Sequence, residues 1–524
     1  MRDPLSEADD PGVSSSAEGH LRTVARGAGL NLVGSAVSAL AGFGLVVVVA
    51  RLFDTEVSGL FFAASAVFLI LAGLTGLGAE AGLARFALRL EHEGRAGALP
   101  ALFTRALVVV LACSVAAGLG AVLLAGVLAD LLGWQPYGAS LLRLIGLGLP
   151  FAVLAEFGQA GTRAFGRMQE TVVIDRLFRA VAQVMAVVAA NLAGAGVTGL
   201  LAAWLAVYPL AALWSLLALR RFLSTRVPSS TPAATPPMRE FWAFTWPRAL
   251  SVVARLGIQK VDVVLVAALL SPTDAALYAA ATRFVALGQI VAIAINQVMQ
   301  PRYTALLLEE SRSDLSTVHQ TASAWTVLLS WPLYLVVGCA PEAYLGIFGP
   351  DFVTDQARTV VLVMAAVMLL ASATGPVDTL LVMAGGSRTS MVNALLALGV
   401  DVGGCLLLIP RFGIVGAAAA WGSAVLVRVL LAVFFVRREV GVRSAAPVVA
   451  LAAATGLVAV GVPVLAFTLL GWPWLAGIAV AVVCYLLTVA GARRRLELDV
   501  LVAALARRKG GLNATAATDL GHPQ

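Results

Sequence analysis

The chain has 524 residues, of which 60% are hydrophobic and only 12% charged, with a mean hydropathy of +0.92. Soluble domains carry about 25% charged residues, so this chain lacks the polar surface to cover a soluble core of its length, and soluble classes are excluded. The net charge of +7 points to membrane orientation rather than to nucleic acid, and all but two of the 36 basic residues are arginine, the exceptions being Lys260 and Lys509.

The first 20 residues are polar and Ser/Gly-rich and read as a disordered tail, not a secretory signal. A bilayer core about 30 Å thick takes roughly 20 helical residues. Apolar runs of that size fall at 28–49, 58–78, 101–128, 141–162, 172–194, 197–219, 243–270, 275–299, 321–340, 358–384, 391–409, 414–436, 446–470 and 473–491. The expectation is an all-α polytopic membrane protein with about fourteen transmembrane helices. No short alternating segments suggest a barrel.

Arginine placement tests that count. With the N-terminus cytoplasmic, 24 basic residues fall on the inner side of the predicted spans, and only Arg51, Arg143, Arg358 and Arg411 fall at the outer side. The positive-inside rule then puts both termini in the cytoplasm.

The longest loop, RRFLSTRVPSSTPAATPPMRE (220–240), is basic and then Pro/Ser/Thr-rich, and it reads as a cytoplasmic linker. An internal repeat supports a division there. VVVVARLFDTEVSGLFFAA (46–64) aligns with VVLVAALLSPTDAALYAAA (263–281) at an offset of 217, placing Gly59-Leu60-Phe61 on Ala276-Leu277-Tyr278. Two parallel six-helix bundles related by an axis along the membrane normal are a common transporter plan. The expected organisation is a cytoplasmic tail (1–26), an N-lobe (27–219), the linker (220–240), a C-lobe (241–437), helices thirteen and fourteen (438–491) and a second tail (492–524). The stretch LELDVLVAALARRKGG reads as an interfacial amphipathic helix or a frayed tail.

Cys113, Cys339, Cys405 and Cys484 lie in apolar runs without metal or redox spacing. The four histidines (His20, His92, His319, His522) fall in tails or polar loops by this reading, so no metal site is expected. No P-loop, nucleophile elbow or HExxH occurs, no loop could hold an enzymatic domain, and the chain is read as a non-enzyme.

Ionisable residues inside spans are costly and face a cavity or a partner. Helix seven carries Arg255, Gln259, Lys260 and Asp262; Arg255, Gln259 and Asp262 share one face. That face either locks packing through an Arg255–Asp262 or Lys260–Asp262 pair or meets a charged substrate. Further candidates are Glu156 in helix four, Arg283 in helix eight, Asp378 in helix ten, Arg51 at the outer end of helix one and Arg85 past helix two. Gln159, Asp175, Arg176, Arg179, Asn296, Gln297 and Asp401 lie in the same spans. Arginine forks match phosphate oxygens, although Arg51 and Arg85 also suit interfacial snorkelling and Asp401 suits packing. Asn31 and the small residues of NLVGSAVSALAGFG suit close helix contact.

Several stretches resemble one family. ARLFDTEVSGLFFAASAVFLILAGLTGLGAEAGLARF (50–86), AFGRMQET (164–171), IQKVDVVLVAALLSPTDAALYAAATRF (258–284) and LLLIPRFGIVGAAAAWGSA (406–424) occur in the order of bacterial polysaccharide flippases. These belong to the multidrug/oligosaccharidyl-lipid/polysaccharide exporter superfamily. Ala276 departs from a usual Gly, and Asp401 and Cys405 stand where Asn is frequent. The resemblance implies two six-helix lobes in a V around a central cavity, with two peripheral helices, in the bacterial cytoplasmic membrane. It implies an undecaprenyl-pyrophosphate-linked oligosaccharide as substrate, with its tail left in lipid, and polymerase and glycosyltransferases as partners. Arg255, Lys260, Arg283, Arg85 and Arg51 would then meet the pyrophosphate. No cofactor is expected beyond a coupling proton or sodium ion, with Asp262, Asp378 or Glu156 as its carrier. Rival readings are a lipid II flippase, a cation-coupled small-molecule exporter, and a polymerase or glycosyltransferase.

Overall fold

The computed structural model describes residues 34–227, 235–442 and 446–492. The tail 1–26, Asn31, linker residues 228–234 and the amphipathic stretch after 493 lie outside the described residues. Among those described there are helices and turns and no strand.

Among the described residues, twelve helices are long and apolar enough to cross a membrane. They are α1 (Gly34–Leu52), α2 (Thr55–His92), α3 (Ala96–Leu123), α4 (Gly138–Arg163), α6 (Val197–Arg226), α8 (Pro272–Leu308), α9 (Arg312–Cys339), α10 (Asp355–Ser372), α11 (Ser387–Phe412), α12 (Ile414–Val440), α13 (Pro447–Leu469) and α14 (Trp474–Gly491). Two more, α5 (169–192) and α7 (Met238–Leu269), are as long but carry too many charges inside them to pass as apolar spans. At 1.5 Å per residue, α7 reaches about 48 Å, well beyond the bilayer core.

The helices outrun the apolar pattern at their polar ends. α9 begins at Arg312 rather than near 321, so His319 sits inside a helix and is fully buried, not in a loop. Its Nδ1 lies 3.0 Å from the Tyr303 hydroxyl, which gives the imidazole a partner away from water. Arg220 and Arg221 likewise extend α6. α10 stops at Ser372 and resumes as Val377–Met383; Gly375, at φ +64°, and Pro376 interrupt it.

The offset of 217 runs through the whole plan. Adding it to the starts of α2, α4 and α6 (55, 138, 197) lands on the starts of α8, α10 and α12 (272, 355, 414); α3 and α5 land within one residue of α9 and α11. α1 matches α7 at its end, 52 falling on 269, so six helices are repeated in parallel, giving two six-helix lobes, and α13 and α14 pack outside them on α9. A two-fold axis brings a residue against its own counterpart only where the axis passes. Gly59 and Ala276 meet that condition: a Cβ on Gly59 would stand 3.2 Å from the Ala276 nitrogen and closer still to the Pro272 carbonyl. Glycine is what lets α2 and α8 touch backbone to backbone here.

That contact closes one end of the space between the lobes. The segment 341–352 plugs the same end with Tyr344, Phe348 and Phe352, all buried. Tyr344 donates to the Ala280 carbonyl (2.7 Å) and accepts from the Phe284 amide (3.1 Å). At the other end, Gly78 and Gly82 of α2 let α7 approach; a Cβ on Gly82 would meet the Phe241 ring at 2.7 Å. The salt bridge Arg89–Glu240 (2.8 Å) fastens this seam, and Arg226–Glu91 (2.7 Å) ties α6 to α2 beside it.

Candidate functional site

A cavity of about 390 Å³ lies between the lobes, walled by α1, α2, α5, α6, α7, α8, α10 and α12. Its wall follows the repeat. Gly42 and Gln259, Leu45 and Asp262, Val46 and Val263, Ser65 and Thr282, Ala66 and Arg283, and Trp204 and Trp421 all line it, each pair 217 residues apart. The pseudo-axis thus runs through the cavity. Position is symmetric, while chemistry is not: where the N-lobe supplies Gly42, Leu45 and Ala66, the C-lobe supplies Gln259, Asp262 and Arg283.

α7 and α8 position these groups. Asp262 is buried and accepts from the Tyr278 hydroxyl (2.8 Å) and from the Val263 amide (2.8 Å). Neither an Arg255–Asp262 nor a Lys260–Asp262 ion pair forms, so the charges of α7 do not neutralise one another. Lys260 lines the cavity with no hydrogen bond or ion pair to any described residue. Arg283 leans against Gly42, where a side chain would collide with its guanidinium. Its buried Nε has no acceptor, and nothing else among the described residues accepts from its side chain. From the N-lobe comes Arg179, held by Asp175 (2.6 Å) and Gln183 (3.1 Å). The segment Val172–Arg179 is wound as a π-helix, a departure that tends to mark functional positions.

A second cavity of about 260 Å³ lies within the C-lobe and shares Gln259, Gln289 and Trp421 with the first. Arg255 and Asp378 line it. Asp378 pairs with Arg428 (2.9 Å) and accepts from the Ser390 hydroxyl (2.8 Å). The Thr379 hydroxyl donates to Asn296 Oδ1 (2.7 Å).

Among the nine candidate residues, Gln259, Lys260, Asp262 and Arg283 thus meet at the central cavity, and Arg255, Gln259 and Asp378 at the second. Three lie elsewhere. Arg51 is exposed and donates to the Ile347 carbonyl (2.8 Å) and the Gly346 carbonyl (2.7 Å), strapping α1 to the plug. Arg85 is exposed beside the α2–α7 seam, its guanidinium 4.4 Å from the Phe244 ring centre, and Arg248 lies 4.8 Å from the same ring. Glu156 lines neither cavity and has no partner among the described residues. Sequence reasoning missed Arg428, although it is the one charged residue between Ile414 and Phe435. The two cavity tryptophans were missed as well, since the repeat was read only around the first turn.

Residues 24–306 match the model of a family described as polysaccharide biosynthesis protein. The chain belongs to this family. A second model, MatE, matches residues 247–407. No protein of curated function matches the sequence. Among solved structures, lipid II flippase MurJ in an inward closed conformation aligns over 88% of this chain and 98% of its own, with a TM-score of 0.70 and 13% identity. An inward-facing multidrug resistance MATE family transporter of the MOP superfamily aligns over 77% and 94%, with a TM-score of 0.60 and 14% identity. A MOP superfamily transporter from Pyrococcus furiosus aligns over 80% and 96%, with a TM-score of 0.52 and 15% identity. This member of the polysaccharide biosynthesis family therefore has the flippase and transporter fold of that superfamily.

Proposed function

We propose that the protein is a flippase that carries undecaprenyl-pyrophosphate-linked oligosaccharide units from the inner to the outer leaflet of the bacterial cytoplasmic membrane, for cell-surface polysaccharide synthesis. The observation that carries this reading is Arg283: a guanidinium in the central cavity with an orphaned Nε, beside Lys260, which is also unpaired. An unpaired cation in a membrane interior is expensive. A pyrophosphate supplies the missing acceptors, and its oxygens fit the guanidinium fork.

In this reading the lobes rock about the axis at Gly59 and Ala276 to give alternating access. The plug end faces outward, both termini are cytoplasmic, and the prenyl tail stays in lipid while the head group crosses. A polymerase and glycosyltransferases act beside it. For coupling, Asp401 joins Asp262. Asp401 is fully buried, one of its carboxylate oxygens has no partner, and no cation pairs with either carboxylate. Two buried carboxylates without a counterion call for a proton or a sodium ion. Asp378 is a weaker carrier because Arg428 already neutralises it.

The test is flipping in proteoliposomes of an undecaprenyl-pyrophosphate oligosaccharide, read by access of an impermeant quencher. Arg283→Gln should slow flipping roughly 10- to 100-fold, the worth of a charge-assisted hydrogen bond. Wild-type protein that folds yet moves no lipid-linked sugar would overturn the reading. Lipid II carries the same polyprenyl pyrophosphate and fits the same cations, so it is the competitor to run beside the oligosaccharide. A small cationic cargo fits poorly, since it would meet Lys260 and Arg283.

A further inference from the structure

The charged and polar lining of the second cavity has no counterpart in the N-lobe repeat. Subtracting 217 from Arg255, Asn296, Asp378 and Arg428 gives Ser38, Ala79, Gly161 and Ala211. Ser38 lines the central cavity, while the other three are packed. Ala79 and Ala211 are buried, and a Cβ on Gly161 would meet Leu219 at 2.7 Å and Phe103 at 3.1 Å. α4 also runs unbroken where α10 opens at 373–376. The repeat alone therefore does not produce this space. The C-lobe has replaced small packed residues with polar ones and interrupted a helix beside them. Broken helices at cavity walls are where transporters place ligands.

The chemistry of the wall is specific. Arg428 and Asp378 neutralise each other, and Arg428 is steadied further where Asn393 Nδ2 donates to its carbonyl (3.1 Å). Thr379 occupies Asn296 Oδ1 and so leaves the amide N–H groups of Asn296 as the donors. Arg255 alone lacks a partner among the described residues, which leaves the cavity with one positive charge. Gln259, Gln289 and Trp421 form the passage to the central cavity. Amide side chains and an aromatic edge suit sugar hydroxyls and ring faces, and an unpaired guanidinium suits a carboxylate.

We propose that this cavity is the glycan subsite and that Arg255 selects an acidic sugar, a uronic acid whose carboxylate it binds. The inference rests on the flippase reading: with the pyrophosphate at Lys260 and Arg283, the sugars reach past Trp421 into the C-lobe. The volume of about 260 Å³ lies just below the range for drug-sized ligands. A neutral sugar would give the Arg255 guanidinium no carboxylate to pair with.

The experiment uses the full-length protein in proteoliposomes with two substrates, an undecaprenyl-pyrophosphate disaccharide ending in glucuronate and its carboxyl-reduced twin ending in glucose. Wild type should prefer the glucuronate form by roughly 10-fold or more. Arg255→Gln should bring the ratio near one, and Arg255→Lys should restore part of it. Arg283→Gln should slow both substrates alike and keep the ratio. Near-equal flipping of both by the wild type, or an unchanged ratio in Arg255→Gln, would overturn the acidic-sugar assignment and leave the flippase intact. If neither substrate moves, the flippase reading itself fails.

Discussion

Gly59→Ala probes the transport cycle at a single atom. Gly59 lies on the pseudo-two-fold axis, packed against the backbone of the first turn of α8. The obstacle to a methyl group is the Pro272 carbonyl and the Ala276 nitrogen, backbone atoms held in a helix, so no side chain can turn aside. The ends of α2 and α8 must part. Forcing one extra methyl into a packed contact costs about 1–3 kcal/mol. Here that cost falls on the state closed at the plug end, and at 1.4 kcal/mol per tenfold it shifts the closed-to-open ratio by about 5- to 150-fold. The assay is labelling of Ser65→Cys, a cavity position, by an impermeant maleimide applied from the plug side. Cys113, Cys339, Cys405 and Cys484 are first replaced by alanine. Gly59→Ala should raise the labelling rate several-fold and lower flipping. Ala276→Gly should not restore closure, because the tighter obstacle is Pro272. Labelling and flipping both unchanged would refute the argument that this contact closes the cavity.

Other perturbations address other parts of the structure. Arg428→Gln should destabilise the protein by about 1–2 kcal/mol, between the values for exposed and buried pairs because both partners are about one-third exposed; Asp378→Asn combined with it should cost less than the two singly, as read by thermal melting in detergent. Tyr278→Phe removes the hydroxyl held by Asp262 and should weaken ion dependence of flipping more than substrate affinity. Arg51→Ala frees the plug from α1 and should increase plug-side labelling without changing pyrophosphate affinity. Outside the spans, hydrogen bonds from Arg89 and then Arg95 hold the Glu93 carboxyl below its usual range. Its contribution is therefore complete above the ordinary carboxylate range and fades as pH falls through the lowered value. Glu93→Gln should flatten that acid limb of a stability-versus-pH curve.

How much of this was legible in the sequence follows from what each signal measures. Hydropathy found the spans because burial in lipid demands unbroken apolar helix, but it missed the helix ends at Arg312 and Arg226, where polar residues continue the hydrogen-bond ladder into the interface. The break in α10 was present as Gly375-Pro376, yet an apolar stretch on both sides hid it. His319 looked like a loop residue because its neighbours are polar; those hydroxyls turn back on their own helix, as Ser323 does on the His319 carbonyl. Helical spacing placed Arg255, Gln259 and Asp262 on one face, and all three do face cavities. Spacing could not say that the cavities are two, since that depends on Trp421 of α12, which donates to the Ile258 carbonyl of α7 and lines both. Arg51 and Arg85 were ambiguous between cavity and interface because both environments select the same side chain.

The repeat itself is the sharpest guide to function. Duplicated halves start with equal cavities, and packing alone gives no reason for them to differ. Here five helix starts survive within a residue, so the departures stand out. Phe43, Leu45 and Ala66 are the repeat counterparts of Lys260, Asp262 and Arg283, and Ser38 is that of Arg255. Each replacement puts a charge into a membrane interior at a position whose twin shows that a neutral residue would pack. Asp262 is satisfied by the Tyr278 hydroxyl and the Val263 amide, whereas Lys260, Arg283 and Arg255 have no acceptor among the described residues. In the flippase proposed above, the acceptors that Lys260 and Arg283 lack are supplied by the substrate's pyrophosphate, and the N-lobe twins Phe43 and Ala66 show which positions that proposal makes decisive.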